Sequence, residues 1–300
     1  MKKTSKTTPI SGTKLVFFGS GPVSAASLSS LRGDFEIEAV VTKPSTAKEM
    51  AACAPDAPQF AVSNRRELSQ LFAEREFTSR LGVVVDFGII IGQDVIGRFP
   101  LGIINSHFSL LPRWRGADPI SFAILHGDKT TGVSLMVIDE SLDTGDLLSQ
   151  ETMAIPPGCT TPQLTDQLVR LSNAMLRKFL PRYAEGKLRP YPQPDSEQAT
   201  YSRKLEKQDG VIDWHKPAEQ IEREIRAFAG WPRSVGEIGG HSLIITAAKV
   251  IGKNGKPGGY EASKDSLAVF CGKGALDIQR VQPPGKKQMP IADFLRGYQL

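Results

Sequence analysis

Four short apolar runs, at 14–18, 37–42, 81–86 and 102–105, are separated by segments of helical spacing such as 23–31. Runs of this kind are strands buried on both faces, because a half-exposed strand would alternate apolar with polar residues. Strands that take turns with helices form a parallel sheet covered by crossover helices, so the first part of the chain is expected to be α/β, mostly parallel and Rossmann-like. In such sheets ligands sit beyond the carboxyl ends of the strands. That directs attention to Gly19-Ser20-Gly21-Pro22, to Lys43-Pro44, to Phe87-Gly88-Ile89-Ile90-Ile91-Gly92 and to Asn105-Ser106-His107.

Gly19-Ser20-Gly21 invites a dinucleotide reading, which the neighbouring residues refuse. That fingerprint needs a third glycine or alanine where Ser24 stands, and an acidic residue ending the second strand where Val41-Thr42-Lys43 stands. No nicotinamide cofactor is expected. The turn remains either a plain strand-to-helix connection or the border of a binding site.

An amide, an imidazole and a carboxylate follow: Asn105, His107 and, thirty-six positions beyond the histidine, Asp143 in Leu142-Asp143-Thr144-Gly145-Asp146. These are the groups needed to move an acyl unit between amines. A carbonyl under attack becomes a tetrahedral oxyanion, which hydrogen-bond donors stabilise most where water is excluded, and Asn105 and His107 both donate. The attacking amine must also shed a proton to a base in reach, a role that Asp143 fits directly or through an ordered water. A carboxylate beside an imidazole helps decide which ring nitrogen carries the proton, so the two would act as a pair. Both are expected to be partly exposed in a crevice. Taken singly, each segment also reads as ordinary turn chemistry, a polar strand end and an Asp-Gly turn.

The segments 132–139 and 146–155 read as paired strands whose connecting loop, anchored at both ends, carries Asp143. Residues 160–184 form an amphipathic helix with Leu164, Leu168, Leu171, Met175, Leu176 and Phe179 at helical spacings. Pro190, Pro192 and Pro194 then mark a stiff surface linker. A helix at 217–228 and short strands near 235–238, 242–250, 267–270 and 276–282, with turns such as Lys253-Asn254-Gly255-Lys256, suggest a small β-barrel. The expected organisation is a tail at 1–12, a first domain at 13–185, a linker at 186–199 and a second domain at 200–300.

Three hundred residues with 40% hydrophobic content can bury two cores without covalent staples. Cys53, Cys159 and Cys271 are far apart and lack metal-ligand spacing, so neither disulfides nor a bound metal is expected, and a reduced, cytoplasmic setting fits. No stretch approaches a membrane span, no secretory leader follows the basic first residues, and the expected form is a monomer. The net charge of +5 suits a polyanionic partner, and Lys249, Lys253, Lys256, Arg280, Lys286 and Lys287 are candidates for a phosphate-tracking face or for simple solvated surface.

The run from Asn105 through Ser109-Leu110-Leu111-Pro112-Arg113-Trp114-Arg115-Gly116-Ala117 to Ile120, with Gly132-Val133-Ser134 and residues 139–146, closely resembles the methionyl-tRNA formyltransferase family. That family transfers formyl from 10-formyltetrahydrofolate to the amino group of methionine on initiator tRNA. The wider formyltransferase superfamily, amino-sugar enzymes included, shares the amide, the imidazole and the carboxylate. The resemblance therefore implies catalytic roles for Asn105, His107 and Asp143. It implies a formyltransferase first domain and an OB-like second domain that binds tRNA. Folate contacts fall on Phe87, Gly88, Ile89 and Ile90, on the turn Ser109, Leu110, Leu111 and Pro112, where proline fixes its own φ, and on Asp139. The acceptor side falls on Gly19, Ser20, Gly21, Pro22, Lys43, Arg113, Trp114 and Arg115. No metal is implied, and the alternative acceptor is an amino-sugar nucleotide. One element departs from the family pattern: where relatives carry an insertion rich in proline, glycine and arginine, residues 43–58 hold two lysines and no arginine.

Overall fold

The computed structural model describes residues 12–194, 196–298 and 300; the expected tail lies outside them except for Gly12. The chain divides into two compact units. One runs through Ala117 and takes in Thr130–Ala154 and Thr165–Ser202; the other comprises Asp118–Lys129, Ile155–Leu164 and Arg203–Leu300.

The first unit is built on a seven-stranded sheet in the order β3-β2-β1-β4-β5-β7-β8. Its strands are β1 (Lys14–Gly19), β2 (Glu36–Thr42), β3 (Gln59–Ala61), β4 (Leu81–Val85), β5 (Ile103–His107), β7 (Thr130–Val137) and β8 (Leu147–Ala154). The first five are mutually parallel, and β7 and β8 add an antiparallel edge. The helices α1 (Pro22–Leu31), α2 (Ala47–Cys53), α3 (Arg65–Glu74) and α4 (Gln93–Ile96) connect the parallel strands, and α6 (Thr161–Ala184) follows β8. A separate two-stranded pair joins β6 (Arg115–Gly116) to β9 (Tyr201–Ser202).

The apolar runs become strands because their side chains are buried on both faces. Residues 15–18 are fully buried, and Phe18 meets Phe72, Phe87 and Phe99 at ring-centroid distances of 5.8, 5.8 and 6.0 Å. Strand order reverses between β1 and β4, the kind of switch point that opens a crevice. There Ser24 explains the broken dinucleotide pattern. Its hydroxyl lies 2.5 Å from the Val85 carbonyl and accepts from Ser20 N at 2.8 Å, so a side chain fastens the β1 turn to β4.

The opposite end of the sheet is tied by one carboxylate. Glu38 accepts from Thr78 N, Thr78 Oγ1 and Ser79 N at 2.9, 2.8 and 2.7 Å, and Lys14 Nζ lies 3.3 Å away. Desolvation works against its ionised form, yet the hydrogen bonds from Ser79 and Thr78 prevail and take its pKa from 4.5 to about 2. At ~1.4 kcal/mol for each tenfold change in acidity this is a stabilisation of about 3 kcal/mol. A depressed pKa stabilises the fold above the unfolded value, so the contribution is complete above pH 4.5 and disappears as pH falls towards about 2. Glu38→Gln is expected to cost about 2 kcal/mol in denaturant unfolding at neutral pH. The gap to wild type should close on acidification, and a gap independent of pH would contradict the assignment.

The second unit curls an antiparallel sheet in the order β10-β11-β14-β13-β12, with β15 beside β14. These strands are β10 (Ser234–Ile238), β11 (His241–Ile251), β12 (Tyr260–Ala262), β13 (Leu267–Phe270), β14 (Ala275–Gln282) and β15 (Met289–Pro290). The helices α5 (Pro119–Leu125), α7 (Ala218–Ala227) and α8 (Ile291–Gly297) complete it. Trp214, Ile221 and Ile225 pack on Leu243, Ile245, Leu276 and Ile278, one apolar core beneath a curled, OB-like sheet. Lys249, Lys253, Lys256, Arg280, Lys286 and Lys287 are all exposed, and Lys253 also pairs with Glu261 at 2.6 Å. Among the described residues, no helix is long and apolar enough to cross a membrane.

Candidate active site

Side-chain alternation along β5 arranges the site. Asn105 and His107 stand on one face, about 7 Å apart along the strand, while Ser106 points the other way and meets Ser172 of α6 at 2.7 Å. Asn105 sits opposite Val84 on one side and Met136 on the other, so neighbouring strands fix its height in the sheet. Among the described residues, its half-buried side-chain amide has no hydrogen-bond partner in the protein.

His107 is oriented by backbone. Its Nε2 lies 2.8 Å from the Trp114 carbonyl, and because a carbonyl only accepts, that nitrogen carries a proton. The other nitrogen, Nδ1, then faces Asp143 Oδ2 at 3.7 Å, too long for a hydrogen bond. Asp143 Oδ2 is itself held by Gly116 N at 2.7 Å. The residues that touch His107 share an uncommon backbone: Trp114 and Asp143 adopt φ of 57° and 53°, two of four positive-φ positions among the described non-glycine residues. Such conformations cost on the order of 1 kcal/mol each and mark places where geometry is imposed by surroundings.

The expectation of partial exposure fits half-buried Asp143 and needs correction for His107, which is buried. The His107 and Asp143 side chains are 6% and 11% exposed, because the Arg113–Ala117 stretch folds over them and supplies both the Trp114 carbonyl and the Gly116 amide. Asp143 arises from the loop between β7 and β8, closed at its neck by Val137 N to Asp146 O at 2.9 Å. Gly145 has no space for a side chain, since a Cβ there would come within 1.8 Å of the Val137 carbonyl.

The remaining candidates separate into buried supports and exposed groups. Phe87 is core, packed edge-on against Phe18, while Ile90 on the same loop is 74% exposed and Ile89 is half-buried. Gly88, at φ 67°, lies against Lys43: a Cβ there would be 2.8 Å from Lys43 Nζ, so a residue expected beside the acceptor borders the loop expected to hold folate. In the turn containing the cis Leu111–Pro112 bond, Ser109 and Leu111 are buried. Ser134 Oγ donates to the Ser109 carbonyl at 2.6 Å and accepts from Leu111 N at 3.0 Å, so only Leu110 and Pro112 present surface. Asp139 is exposed, and its carboxylate accepts from Thr144 Oγ1 at 2.8 Å. Gly19 and Ser20 are buried, and Gly21 and Pro22 are more open. Ser20 Oγ accepts from Lys43 N at 3.0 Å, which brings the first turn and the atypical loop together, and that loop folds into a turn and α2 around buried Met50.

Arg113 lies 4.4 Å from the Trp114 ring centroid, a cation–π contact, and Trp114 itself is buried. Arg115 is 5% exposed and donates to Gln193 Oε1 at 2.7 Å, which leaves it no open face for a polyanion. Sequence reasoning missed Gln193, whose side chain reaches the Asp143 loop from a segment expected to be a bare linker. That segment is tied to β8 by Leu147 and Tyr191, which exchange backbone hydrogen bonds of 2.7 and 2.9 Å. Among the described residues, no group of three or more His, Cys, Asp or Glu is arranged to hold a metal.

A Rossmann-like sheet bearing these groups, in a chain that also carries a curled β-domain, defines a class, the formyl transferases. Residues 13–180 match the family model described as formyl transferase, and residues 204–299 match the formyl transferase C-terminal domain. More narrowly, the chain belongs to the methionyl-tRNA formyltransferase family. It is 40% identical over 299 residues to the methionyl-tRNA formyltransferase of Myxococcus xanthus, covering 96% of each chain. Among solved structures, a HypX variant from Aquifex aeolicus is similar with a TM-score of 0.69 at 16% identity; 96% of this chain spans 49% of that one. An N-formyltransferase from Helicobacter canadensis, solved with folinic acid and dTDP-3-aminofucose, gives a TM-score of 0.68 at 18% identity, covering 89% of this chain and 99% of that one. At those identities the structures establish the shared fold.

Proposed function

We propose that this enzyme transfers formyl from 10-formyltetrahydrofolate to the α-amino group of methionyl initiator tRNA at the site formed by Asn105, His107 and Asp143. One observation carries the reading: an amide without a partner among the described residues shares one face of β5 with an imidazole, whose Nδ1 faces a carboxylate. The amine nitrogen attacks the formyl carbon, and Asn105 donates to the oxygen as it becomes an oxyanion. His107, whose Nε2 proton is held by the Trp114 carbonyl, offers its Nδ1 lone pair to the proton that the amine sheds. Asp143 stabilises the resulting imidazolium across the 3.7 Å gap. The bond from the formyl carbon to N10 of the folate then breaks, and the proton passes to that leaving nitrogen. The free enzyme is restored.

Folate is expected to take its apolar cover from Ile90 and Leu142, which are 74% and 61% exposed, with the turn Leu110–Pro112 and Asp139 bordering it. Large apolar side chains presented on loops are suited to a flat ring whose edge bonds to backbone. Ile90→Ser should weaken binding of a folate analogue about tenfold by calorimetry, the value of burying such a side chain. Folding should hardly change, since the residue is exposed. Unchanged affinity would remove Ile90 from the donor pocket. Gly19, Ser20, Gly21, Pro22, Lys43 and Arg113 remain on the acceptor side, and Trp114 and Arg115 support the loop from within. The full-length match to a methionyl-tRNA formyltransferase and the basic surface of the second unit favour tRNA over a sugar nucleotide. The test supplies labelled 10-formyltetrahydrofolate with either charged initiator tRNA or a dTDP-amino sugar. Label should pass to the tRNA, and transfer to the sugar alone would overturn the acceptor assignment.

A further inference from the structure

Asp143 holds an uncommon backbone conformation, and one side chain grips that backbone. Gln193 Nε2 lies 2.8 Å from the Asp143 carbonyl and 2.9 Å from the Gly145 carbonyl, while its Oε1 accepts from Arg115 Nη2 at 2.7 Å. We propose that Gln193 is a positioning residue that keeps Asp143 in register with His107. The proposal rests on the catalytic reading of Asp143 given above.

The hydrogen-bond inventory fixes the orientation of this amide. A guanidinium only donates and a carbonyl only accepts, so Gln193 must turn oxygen to Arg115 and nitrogen to the loop, and a flipped amide would lose all three bonds. Arg115 is buried, its Nε has no hydrogen-bond partner among the described residues, and its Nη2 donates to Gln193 in a low-dielectric surrounding. A charged donor on Oε1 polarises the amide and strengthens what Nε2 gives to the two carbonyls. Residues 115 and 116 therefore control both ends of the aspartate: Gly116 N binds the carboxylate directly, and Arg115 holds its backbone through Gln193. The glutamine is in turn fixed between Pro192 and Pro194, two residues after the Tyr191 bridge to β8. Without it, an αL aspartate on a loop tip loses the bonds that offset its conformational cost, and the carboxylate drifts from Nδ1.

Gln193→Ala and Gln193→Glu test this, each made in the wild-type and Asp143→Asn backgrounds. Glutamate keeps a partner for Arg115 but turns an acceptor towards two carbonyls, so it separates satisfaction of the arginine from grip on the loop. Both variants should lower kcat on the order of 10- to 100-fold, the loss that a misplaced group produces. KM for folate and tRNA should hold, because neither substrate is bound by the glutamine. In the Asp143→Asn background the same changes should have little further effect, since the group being positioned is already disabled. An equal loss in both backgrounds, or normal kcat in the single variants, overturns the proposal while the assigned chemistry stands. Normal kcat for Asp143→Asn alone would instead overturn the reading of Asp143, and the proposal with it.

Discussion

Asp143→Asn should lower kcat by about 100- to 10,000-fold, the range removed with a positioned acid–base group, while the protein melts close to wild type. Asparagine is the informative replacement. Its Oδ1 can still accept from Gly116 N, and its backbone can still meet Gln193, so the loop remains closed and only the charge facing His107 is lost. Once that charge is gone, the imidazolium formed when the amine deprotonates has no counter-ion in a nearly dry site, where such stabilisation counts most. Alanine would be harder to interpret, because burial of the pair leaves the Gly116 amide unsatisfied and adds about 1–3 kcal/mol of instability. His107→Ala shares that drawback, since it removes the Nε2 hydrogen bond to the Trp114 carbonyl. Single-turnover formyl transfer, with substrate affinity measured separately, distinguishes loss of chemistry from loss of fold.

The second large effect belongs to Asn105. Asn105→Ala should cost about 3 kcal/mol in transition-state stabilisation, roughly 100-fold in kcat, as for removal of one oxyanion donor. Little of that loss should appear as instability. Among the described residues the Asn105 amide has no partner to abandon, and its backbone is held by pairing with Val84 and Met136 whatever the side chain. A variant that melts normally, binds both substrates and turns over slowly fits an amide reserved for the transition state. Asn105→Asp sharpens the point, since a carboxylate of similar shape would repel the oxyanion and should be slower than alanine.

Apolar patterning made the main sheet legible, because a strand buried on both faces leaves a continuous apolar run. The expected strands at 14–18, 37–42 and 81–86 differ from β1, β2 and β4 by no more than a residue at either end. The fourth run, 102–105, begins one residue early and ends two short, because β5 continues through the polar Asn105-Ser106-His107 that propensity would assign to a turn. Pairing with β7 on one side decides that case. The strands β6 and β9 left no local trace. Each is two residues long, and Arg115 pairs with Tyr201 far along the chain.

The side chains of the candidate site were visible in sequence, but what orients them was not. His107 is set by the Trp114 carbonyl and Asp143 by the Gly116 amide, backbone groups that every residue possesses and no motif advertises. Gln193 escaped for a different reason. Three nearby prolines read as a spacer, whereas one bridge at Tyr191 places that spacer along β8 and brings its glutamine to the loop. Arg115 shows the converse error, a basic residue next to an aromatic that looks outward by composition and is turned inward by the β6–β9 pairing.

The most direct test of the central claim is a crystal structure with a non-transferable 10-formyltetrahydrofolate analogue bound. The analogue's formyl oxygen should lie within about 3 Å of Asn105 Nδ2, with His107 Nδ1 and Asp143 on the same side of the formyl carbon. An analogue seated away from β5, or a formyl group turned from Asn105 with Asp143 remote from the imidazole, would contradict it.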